Sequence, residues 1–152
     1  MDVELYERAY NHPDSAKLIA ELQQVFVVRY GSEDVTPVDP AQFAAPNGYF
    51  AVGYLDEVPI ACGGWRARPE MGAAEIKRMY VVEAFQGRGL SRTFLAHLEA
   101  TAKNAGHSRM ILETGTKQPE AIGLYESSGY AEIEKFGVYK DEPESVCYGK
   151  DL

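Results

Sequence analysis

The sequence predicts an α/β fold of the mixed α+β kind, in which helices cover both faces of a mixed β-sheet. Three observations support this prediction. Short runs rich in β-branched and aromatic residues recur along the chain, three stretches carry apolar residues at helical spacing, and Gly, Pro and acidic residues separate them. The predicted order is β-α-(α)-β-β-β-α-β-α-β-β, with antiparallel neighbours preceding a β-α-β unit. With 152 residues and no internal repeat or linker, residues 1–152 are expected to form one domain.

The first two elements are a strand and a long helix. A loosely alternating run predicts a strand over Val3–Tyr10. The stretch "PDSAKLIAELQQVFVVRYG" predicts a helix that begins with Asp14 or Ser15 as its cap and ends at Gly31. Its predicted buried face consists of Leu18, Leu22, Val25 and Phe26.

The middle of the chain is predicted to form a loop, a hairpin and a further strand. Three prolines between Ser32 and Asn47 predict a loop, with a short helix at Pro40–Ala44. Two β-rich runs, Tyr49–Leu55 and Val58–Trp65, flank the polar pair "DE" and predict a β-hairpin. The following strand is predicted over Ala73–Val82.

The last third of the chain alternates helices and strands before two closing strands. A helix is predicted over Leu90–Gly106, a strand over Ser108–Thr114 and a helix over Gln118–Gly129. The closing strands are predicted at Tyr130–Phe136 and Glu144–Lys150. The predicted buried side of the first of these helices consists of Leu90, Phe94, Leu95, Leu98 and Ala102.

Composition and charge narrow the function classes. The net charge of −8 and the pI near 4.9 disfavour nucleic acid as a partner and favour a cationic substrate or a solubility role for the charge. No stretch approaches the ~20 apolar residues of a membrane helix, and without a basic-then-apolar leader we expect a cytoplasmic protein that does not bind membranes. Cys62 and Cys147 are far apart in sequence and are expected to be core residues, and no motif predicts a metal site.

The segment "QGRGLS" (Gln86–Ser91) lies between a predicted strand and a predicted helix. The start of a helix carries unpaired N–H groups, and glycines leave room for an anion to reach them. Gly87 and Gly89 provide that access, and Arg88 and Arg92 add positive charge, which together suit a pyrophosphate. Neither a Walker loop nor the dinucleotide fingerprint GxGxxG is present.

Two motifs in the run from Glu75 to Tyr130 resemble those of the GNAT superfamily of N-acetyltransferases. The acetyl-CoA loop of that superfamily is Gln/Arg-x-x-Gly-x-Gly/Ala, and Gln86, Gly89 and Ser91 occupy its places, with Ser91 departing from the usual Gly or Ala. The second motif is "AIGLYESSGY". The resemblance implies a GNAT acyl-CoA N-acyltransferase fold, with a mostly antiparallel sheet that contains a splayed parallel pair.

The resemblance also implies where acetyl-CoA binds, as a co-substrate and without a metal. Backbone groups of Tyr80, Val81 and Val82 would bind the pantetheine arm. Gln118 lies near the place where relatives often have a cofactor-binding Asn. The loop residues implied to bind the pyrophosphate region are Gln86, Gly87, Arg88, Gly89, Leu90 and Ser91.

The resemblance further implies direct attack of a neutral amine on the thioester. Tyr125 has the family's usual position for the group that donates a proton to the departing thiolate, although it could instead be a core aromatic. Glu75, directly or through a water, is the first candidate for the base. The alternative interpretation is a solvated carboxylate that pairs with Lys77 or Arg78. Glu113 is the second candidate base.

The amide of Val82 is the candidate donor to the developing oxyanion. The predicted activity is acetyl transfer to a primary amine of a small molecule. The alternatives are acetylation of a protein lysine or N-terminus, a catalytically idle acyl-CoA-binding module, and a generic phosphate-binding α/β domain. Because many members of the superfamily form homodimers through their last strands, a homodimer is also expected.

Overall fold

The computed structural model describes residues 2–152. Within these residues seven strands, numbered β1 to β7 in chain order, form one mixed sheet in the spatial order β1-β2-β3-β4-β5-β7-β6. The sequence prediction of a mixed sheet with helices on both faces is confirmed. The strands are β1 (Glu4–Glu7), β2 (Gly48–Leu55), β3 (Val58–Arg68), β4 (Ala73–Val81), β5 (Arg109–Gly115), β6 (Ala131–Ile133) and β7 (Ser145–Asp151). The helices are α1 (Pro13–Tyr30), α2 (Leu90–Asn104) and α3 (Pro119–Ser127), with short 3₁₀ helices at Pro40–Phe43, Pro69–Met71 and Glu83–Phe85.

The β2–β3 hairpin turns at the predicted acidic pair. Asp56 and Glu57 both have positive φ, at 49° and 68°, as the two central residues of a type I′ turn require. The prediction of β1 was too long, because the strand ends at Glu7 and not at Tyr10. The penultimate strand is also shorter than predicted, with three residues, because the chain leaves the sheet after Ile133.

Helix α1 has a different N-cap residue from the one that the sequence predicts. His12 is the N-cap residue, and its Nδ1 accepts a hydrogen bond of 3.0 Å from the N–H of Asp14. The predicted cap at Asp14 or Ser15 is therefore wrong. Ser15 is buried instead, and its hydroxyl donates to the carbonyl of Ala9 at 2.8 Å. The predicted end at Gly31 is confirmed, with φ at 84°.

The two faces of the sheet carry separate cores. Helices α2 and α3 pack on one face, and the buried side predicted for α2 is confirmed residue by residue. The other face is covered by α1 and the 3₁₀ helix Pro40–Phe43, where Leu18 is fully buried and Val25 and Phe26 are half-buried. Cys62 and Cys147 are free and buried, as predicted.

Strands β4 and β5 are parallel neighbours that part soon after they meet. Within residues 2–152 their pairing consists of Ala74 with Met110 and Glu75 with Ile111. Beyond these pairs the two strands diverge and leave a wedge-shaped gap, which is the splayed pair that the sequence predicted. A bulge in β4 lies at the start of the gap, where Arg78 has a φ of 59° and the register with β3 shifts. Residues 2–152 include no helix that is long and apolar enough to cross a membrane.

Candidate active site

The gap between β4 and β5 exposes backbone groups on one edge of β4. The N–H of Val82 donates to the carbonyl of Ile60 at 2.9 Å, and the carbonyl of Val82 accepts from the N–H of Phe85 at 2.9 Å. Because backbone groups alternate in direction along a strand, Tyr80 also faces β3, and Val81 faces the gap. Of the three predicted backbone contacts, only the N–H of Val81 is therefore directed at the gap. The predicted use of the Val82 amide as the oxyanion donor does not fit this geometry.

The carbonyl of Val81 has a partner in the glycine loop. Nε2 of Gln86 donates to it at 2.8 Å. This contact ties the loop Gln86–Ser91 to the end of β4 and leaves the Val81 N–H as the open group. Gln86 thus holds the end of β4 in place beside the gap.

The loop Gln86–Ser91 leads into α2 without a side-chain cap. Gly87 and Gly89 have φ values of 77° and 80°, and Gly89 is the N-cap residue of α2. The N–H of Thr93 closes the first turn onto the carbonyl of Gly89 at 3.1 Å. The N–H groups at Leu90 and Ser91 precede that turn and have no intrahelical acceptor. A Cβ at Gly87 or Gly89 would meet no atom within 4 Å, so the space beside both glycines is open.

The two arginines of this region differ in what they contact. Arg88 is exposed, and its guanidinium carbon lies 5.6 Å from the centre of the Phe85 ring. Arg92 instead bonds the hydroxyls of Ser127 and Ser128, at 2.8 and 3.1 Å, and so joins α2 to the end of α3. Arg88 is consequently the arginine that is free to meet an anion at the loop.

Tyr125 lies in α3 on the face of the sheet that carries α2. Its side chain is 7% exposed and its ring packs edge-on against that of Tyr130, with 5.8 Å between ring centroids. Burial raises the pKa of the Tyr125 hydroxyl to about 12. The phenol therefore keeps its proton at neutral pH, as a proton donor must.

Glu75 is held by two arginines of the neighbouring strand β3. Its Oε1 accepts from Nε of Arg66 at 3.0 Å and from Nη1 of Arg68 at 2.7 Å. Lys77 is 4.0 Å from its other oxygen, whereas Arg78 pairs with Asp34 at 2.6 Å. The carboxylate is 2% exposed and its Oε1 is directed at the arginines. This arrangement is a buried ion-pair network and not a free base. The alternative interpretation is correct in that Glu75 is ion-paired, but it is wrong in the setting and the main partners, because the carboxylate is buried and bonds Arg66 and Arg68.

Glu113 has a more open setting on β5. Its side chain is half-buried, and its Oε2 accepts from the hydroxyl of Ser145 at 3.2 Å. Burial raises the pKa of Glu113, and the charge of Lys77 and the bond from Ser145 offset part of that effect. A carboxyl group with a raised pKa is a better proton acceptor near neutral pH than an ordinary one.

Two adjoining cavities meet at Glu113 on the face of the sheet that carries α1. The acidic cavity has a volume of about 320 Å³ and lies between the end of α1, the end of β5 and the β6–β7 connection. The basic cavity has a volume of about 270 Å³ and lies above β3 and β4. The acids of the first are Glu33, Asp34, Glu113, Glu142 and Glu144, and the cations of the second are Arg66, Arg68 and Lys77.

Tyr30, which the sequence analysis did not single out, lines the acidic cavity. Its hydroxyl is buried and has no hydrogen-bond partner among residues 2–152. A Cβ added to Gly115 would lie 2.0 Å from this oxygen, so the hydroxyl reaches the end of β5 only because that residue is glycine. This contact joins residues 85 positions apart in sequence, so no local pattern predicts it.

Gln118 also lines the acidic cavity, at the position that precedes α3. Its N–H donates to the carbonyl of Gly115 at 3.0 Å and its side chain makes no capping bond to the helix. Residues 2–152 contain no group of three or more His, Cys, Asp or Glu placed to hold a metal ion.

A splayed parallel pair next to an uncapped, glycine-led helix is the architecture of an acyl-CoA-dependent acyltransferase. The sequence profile of the acetyltransferase (GNAT) family matches residues 15–130. The chain belongs to the GNAT family, and the resemblance found in its motifs is confirmed. The family assignment supports an acetyl-CoA-dependent acyltransferase.

Individual relatives agree with this assignment. An IAA acetyltransferase from Azospirillum brasilense is 33% identical over 136 residues, which are 90% of this chain and 89% of that protein. A solved structure from Klebsiella pneumoniae, described as an acyl-CoA N-acyltransferase, has a TM-score of 0.81 at 27% identity and covers 99% of this chain and 97% of its own. A GNAT family acetyltransferase from Elizabethkingia anophelis, solved with acetyl-CoA bound, has a TM-score of 0.72 at 17% identity, with 99% and 98% covered, and shares the fold.

Proposed function

We propose that this protein is an N-acetyltransferase that transfers the acetyl group of acetyl-CoA to a primary amine of a small molecule. The observation that carries the proposal is the gap between β4 and β5, which ends at the open N–H groups of the loop Gln86–Ser91. An extended thioester arm fits the gap as an additional strand would, and a pyrophosphate fits the helix start. The Elizabethkingia protein of the same fold binds acetyl-CoA.

The cofactor contacts are proposed at both ends of this groove. The N–H of Val81 binds the thioester carbonyl oxygen at the end of the arm, because it is the open backbone group on that edge of β4. Gly87, Gly89 and the following amides bind the pyrophosphate, with Arg88 at its exposed side. Gln118 lines the acidic cavity and its side chain makes no capping bond, so its amide is proposed to reach the arm from there.

The chemical steps use groups on both faces of the sheet. Glu113, directly or through a water, accepts the proton that the substrate ammonium must lose. The amine nitrogen then bonds to the thioester carbon, and the Val81 N–H donates to the oxygen on which charge develops. When the carbon–sulfur bond breaks, the electron pair leaves with sulfur and Tyr125 donates a proton to it. The nitrogen, which carries a surplus proton after its attack, releases that proton through solvent, and the Tyr125 phenol is restored. Glu75 is proposed to hold Arg66 and Arg68 in place and not to act as the base.

The small size of the two cavities supports a small acceptor over a protein. Their volumes are about 320 and 270 Å³, and the two cavities joined at Glu113 lie in the range of small-ligand pockets. A cytoplasmic location and a homodimer remain predictions from the sequence.

The test is acetyl transfer by the purified protein from acetyl-CoA to a panel of primary amines. Release of the free thiol should depend on the amine, and mass spectrometry should show one added acetyl group on it. The control is a protein carrying Glu113→Gln at the same concentration, which should release thiol slowly. Tight binding of acetyl-CoA without transfer to any amine would support the idle acyl-CoA-binding module and contradict the proposed enzyme.

A further inference from the structure

The side chain of Lys77 is mostly buried beside the basic cavity, and within residues 2–152 its ammonium group donates no hydrogen bond. Its side chain is 7% exposed, and the nearest carboxylate oxygens are Oδ2 of Asp34 at 3.7 Å and Oε2 of Glu75 at 4.0 Å. Both distances exceed that of a hydrogen bond. The two carboxylates are already bonded to arginines, Asp34 to Arg78 and Glu75 to Arg66 and Arg68.

An ammonium group on a mostly buried side chain is stabilised by an anionic hydrogen-bond partner. Removing a charged amine from water is costly unless hydrogen bonds and an opposite charge replace the water. Among residues 2–152, two carboxylates lie close enough to Lys77 to attract its charge, but neither accepts a hydrogen bond from it. Its three donors can therefore serve an anionic group that enters the basic cavity, whose lining includes Arg68 and Glu113 as well.

Lys77 and Glu113 occupy equivalent positions on the two diverging strands. Each lies two residues beyond the last paired residues, Glu75 on β4 and Ile111 on β5, and both line the basic cavity. Side chains two residues apart lie on the same face of a strand. A cation and an anion thus stand side by side at the point where the sheet opens.

We propose that the acceptor is an amine that carries a carboxylate close to its nitrogen, as a free α-amino acid does. The carboxylate binds Lys77 and the amine faces Glu113, so that the two charges of the ligand match the two charges of the site. This inference rests on the proposed function and names its substrate class. The acidic cavity, lined by Phe26, Tyr30 and Tyr139 as well as by acids, then receives the amino-acid side chain.

The test compares L-phenylalanine with phenethylamine and L-phenylalaninamide. Neither of the latter carries a carboxylate, and their amines are respectively more and less basic than that of the amino acid. We expect kcat/KM for the amino acid to exceed the values for the other two compounds by at least tenfold. This factor corresponds to the free energy of about one hydrogen bond to a charged group. Lys77→Met should bring the three values to within about threefold of one another, whereas Lys77→Arg should keep the preference.

Lys103→Met is the matched control, because Lys103 is exposed in the last turn of α2 on the other face of the sheet. It should leave the preference unchanged. Equal kcat/KM for the three compounds with the unaltered protein would overturn the proposal. So would a loss in Lys77→Met that is the same for all three.

A second measurement separates this proposal from the proposed function. If no amine is acetylated, the proposed function has failed, and calorimetry with the CoA-loaded protein still tests the carboxylate site. L-phenylalanine should then bind at least tenfold more tightly than phenethylamine, and Lys77→Met should remove that difference. Equal binding of the two, or binding of neither, overturns the inference.

Discussion

Glu113 and Glu75 are carboxylates on neighbouring strands that have different neighbours. Glu75 accepts from two arginines, whereas Glu113 accepts one bond from Ser145 and faces both cavities. Two carboxylates in such different environments are suited to different chemical roles. The proposed division is a proton acceptor at Glu113 and a structural anion at Glu75.

Glu113→Gln should therefore lower kcat by about 10² to 10⁴, the usual contribution of a general base. The rise of kcat with pH that reports ionisation of Glu113 should disappear. Since the folded pKa of Glu113 is raised, the native state holds its proton to a higher pH than the unfolded chain does, and stability falls as pH rises through that window. The variant lacks this fall and should be at least as stable as the unaltered protein at neutral pH, as measured by thermal unfolding at several pH values.

Glu75→Gln supplies the contrast. It leaves Arg66 and Arg68 without their shared carboxylate and should lower the free energy of unfolding by about 3 to 5 kcal/mol. The rise of kcat with pH should be retained in the fraction that folds. A pH profile that flattens in Glu75→Gln and persists in Glu113→Gln would reverse the assignment.

Tyr30 holds a buried hydroxyl that no residue of 2–152 satisfies. Tyr30→Phe should leave the melting temperature unchanged or raise it, because an unbonded buried hydroxyl costs about 1 to 3 kcal/mol. If a substrate supplies the missing partner, KM for the acceptor or for acetyl-CoA should rise about tenfold, measured by steady-state kinetics.

Tyr49→Phe is the control for Tyr30. The hydroxyl of Tyr49 already bonds Nε2 of His97 at 2.7 Å, so its removal should lower stability by about 1 kcal/mol and leave both KM values unchanged. Lower stability and unchanged KM in Tyr30→Phe would show that its hydroxyl serves the fold.

Single residues also show what the sequence could and could not predict. The sequence predicts Glu75 as the functional acid of β4. Its arginine partners lie on the paired strand β3, and the register between two strands cannot be deduced from one sequence. Glu113 was recognised from its strand as a second candidate, and its raised pKa depends on burial that only the fold creates. Lys77 and Tyr30 stand out only because, within residues 2–152, their polar groups have no hydrogen-bond partner in the folded protein.

At the scale of elements, local signals predicted most of the secondary structure. The acidic turn of the hairpin and the apolar face of α2 depend on neighbours in sequence, and both were predicted well. The cap of α1 was misplaced because His12 rarely serves as an N-cap, and its ring nitrogen replaces the usual side-chain oxygen. The direction of the Val82 amide was missed because it depends on the bulge at Arg78 and the pairing with Ile60.

The start of α2 is the element on which cofactor binding depends. Gly89→Asp introduces a side chain into open space at the N-terminus, where its charge opposes a pyrophosphate and favours the helix dipole. The positive φ of 80° costs a non-glycine residue about 1 to 2 kcal/mol. We expect affinity for acetyl-CoA to fall by at least 100-fold in calorimetry, with a modest change in melting temperature.

Gly106→Asp is matched to this variant. Gly106 follows the other end of α2, with a φ of 97° and open space around it. The substitution should cost comparable or greater stability and leave the affinity for acetyl-CoA unchanged. Equal losses of affinity in the two variants would assign the effect to folding of α2, and unchanged affinity in Gly89→Asp would refute the loop as the pyrophosphate site.

At the scale of the whole molecule, charge is distributed in a way that the net value of −8 does not reveal. The sequence predicted an acidic protein suited to a cation, whereas the fold brings three cations into one cavity next to an acidic one. The segment after α1 contributes to the walls of both cavities through Asp34 and Thr36. Contacts at Asp34 therefore join a surface segment, helix α1 and the bulge of β4.

Asp34 makes these connections with both its backbone and its side chain. Its N–H donates to Oε1 of Gln23 at 2.8 Å, and its carboxylate accepts from Arg78 at 2.6 Å and from the N–H of Thr36 at 2.9 Å. Burial alone would raise the pKa of Asp34, but Lys77, the bonds from Thr36 and Arg78 together lower it well below its usual value. The native state thus releases this proton more readily than the unfolded chain.

Asp34→Asn should consequently reduce stability at neutral pH by about 3 kcal/mol, because it removes one partner of a buried pair. The contribution of a carboxyl with a lowered pKa is present above its unfolded value and is lost as pH falls through its folded value. Stability of the variant should therefore depend less on pH below about 4, as measured by denaturant unfolding from pH 2 to 8. Asp151→Asn, at an exposed residue of β7, should leave the pH dependence intact. An Asp34→Asn protein with unaltered stability at pH 7 would show that the segment after α1 is held in place without this ion pair.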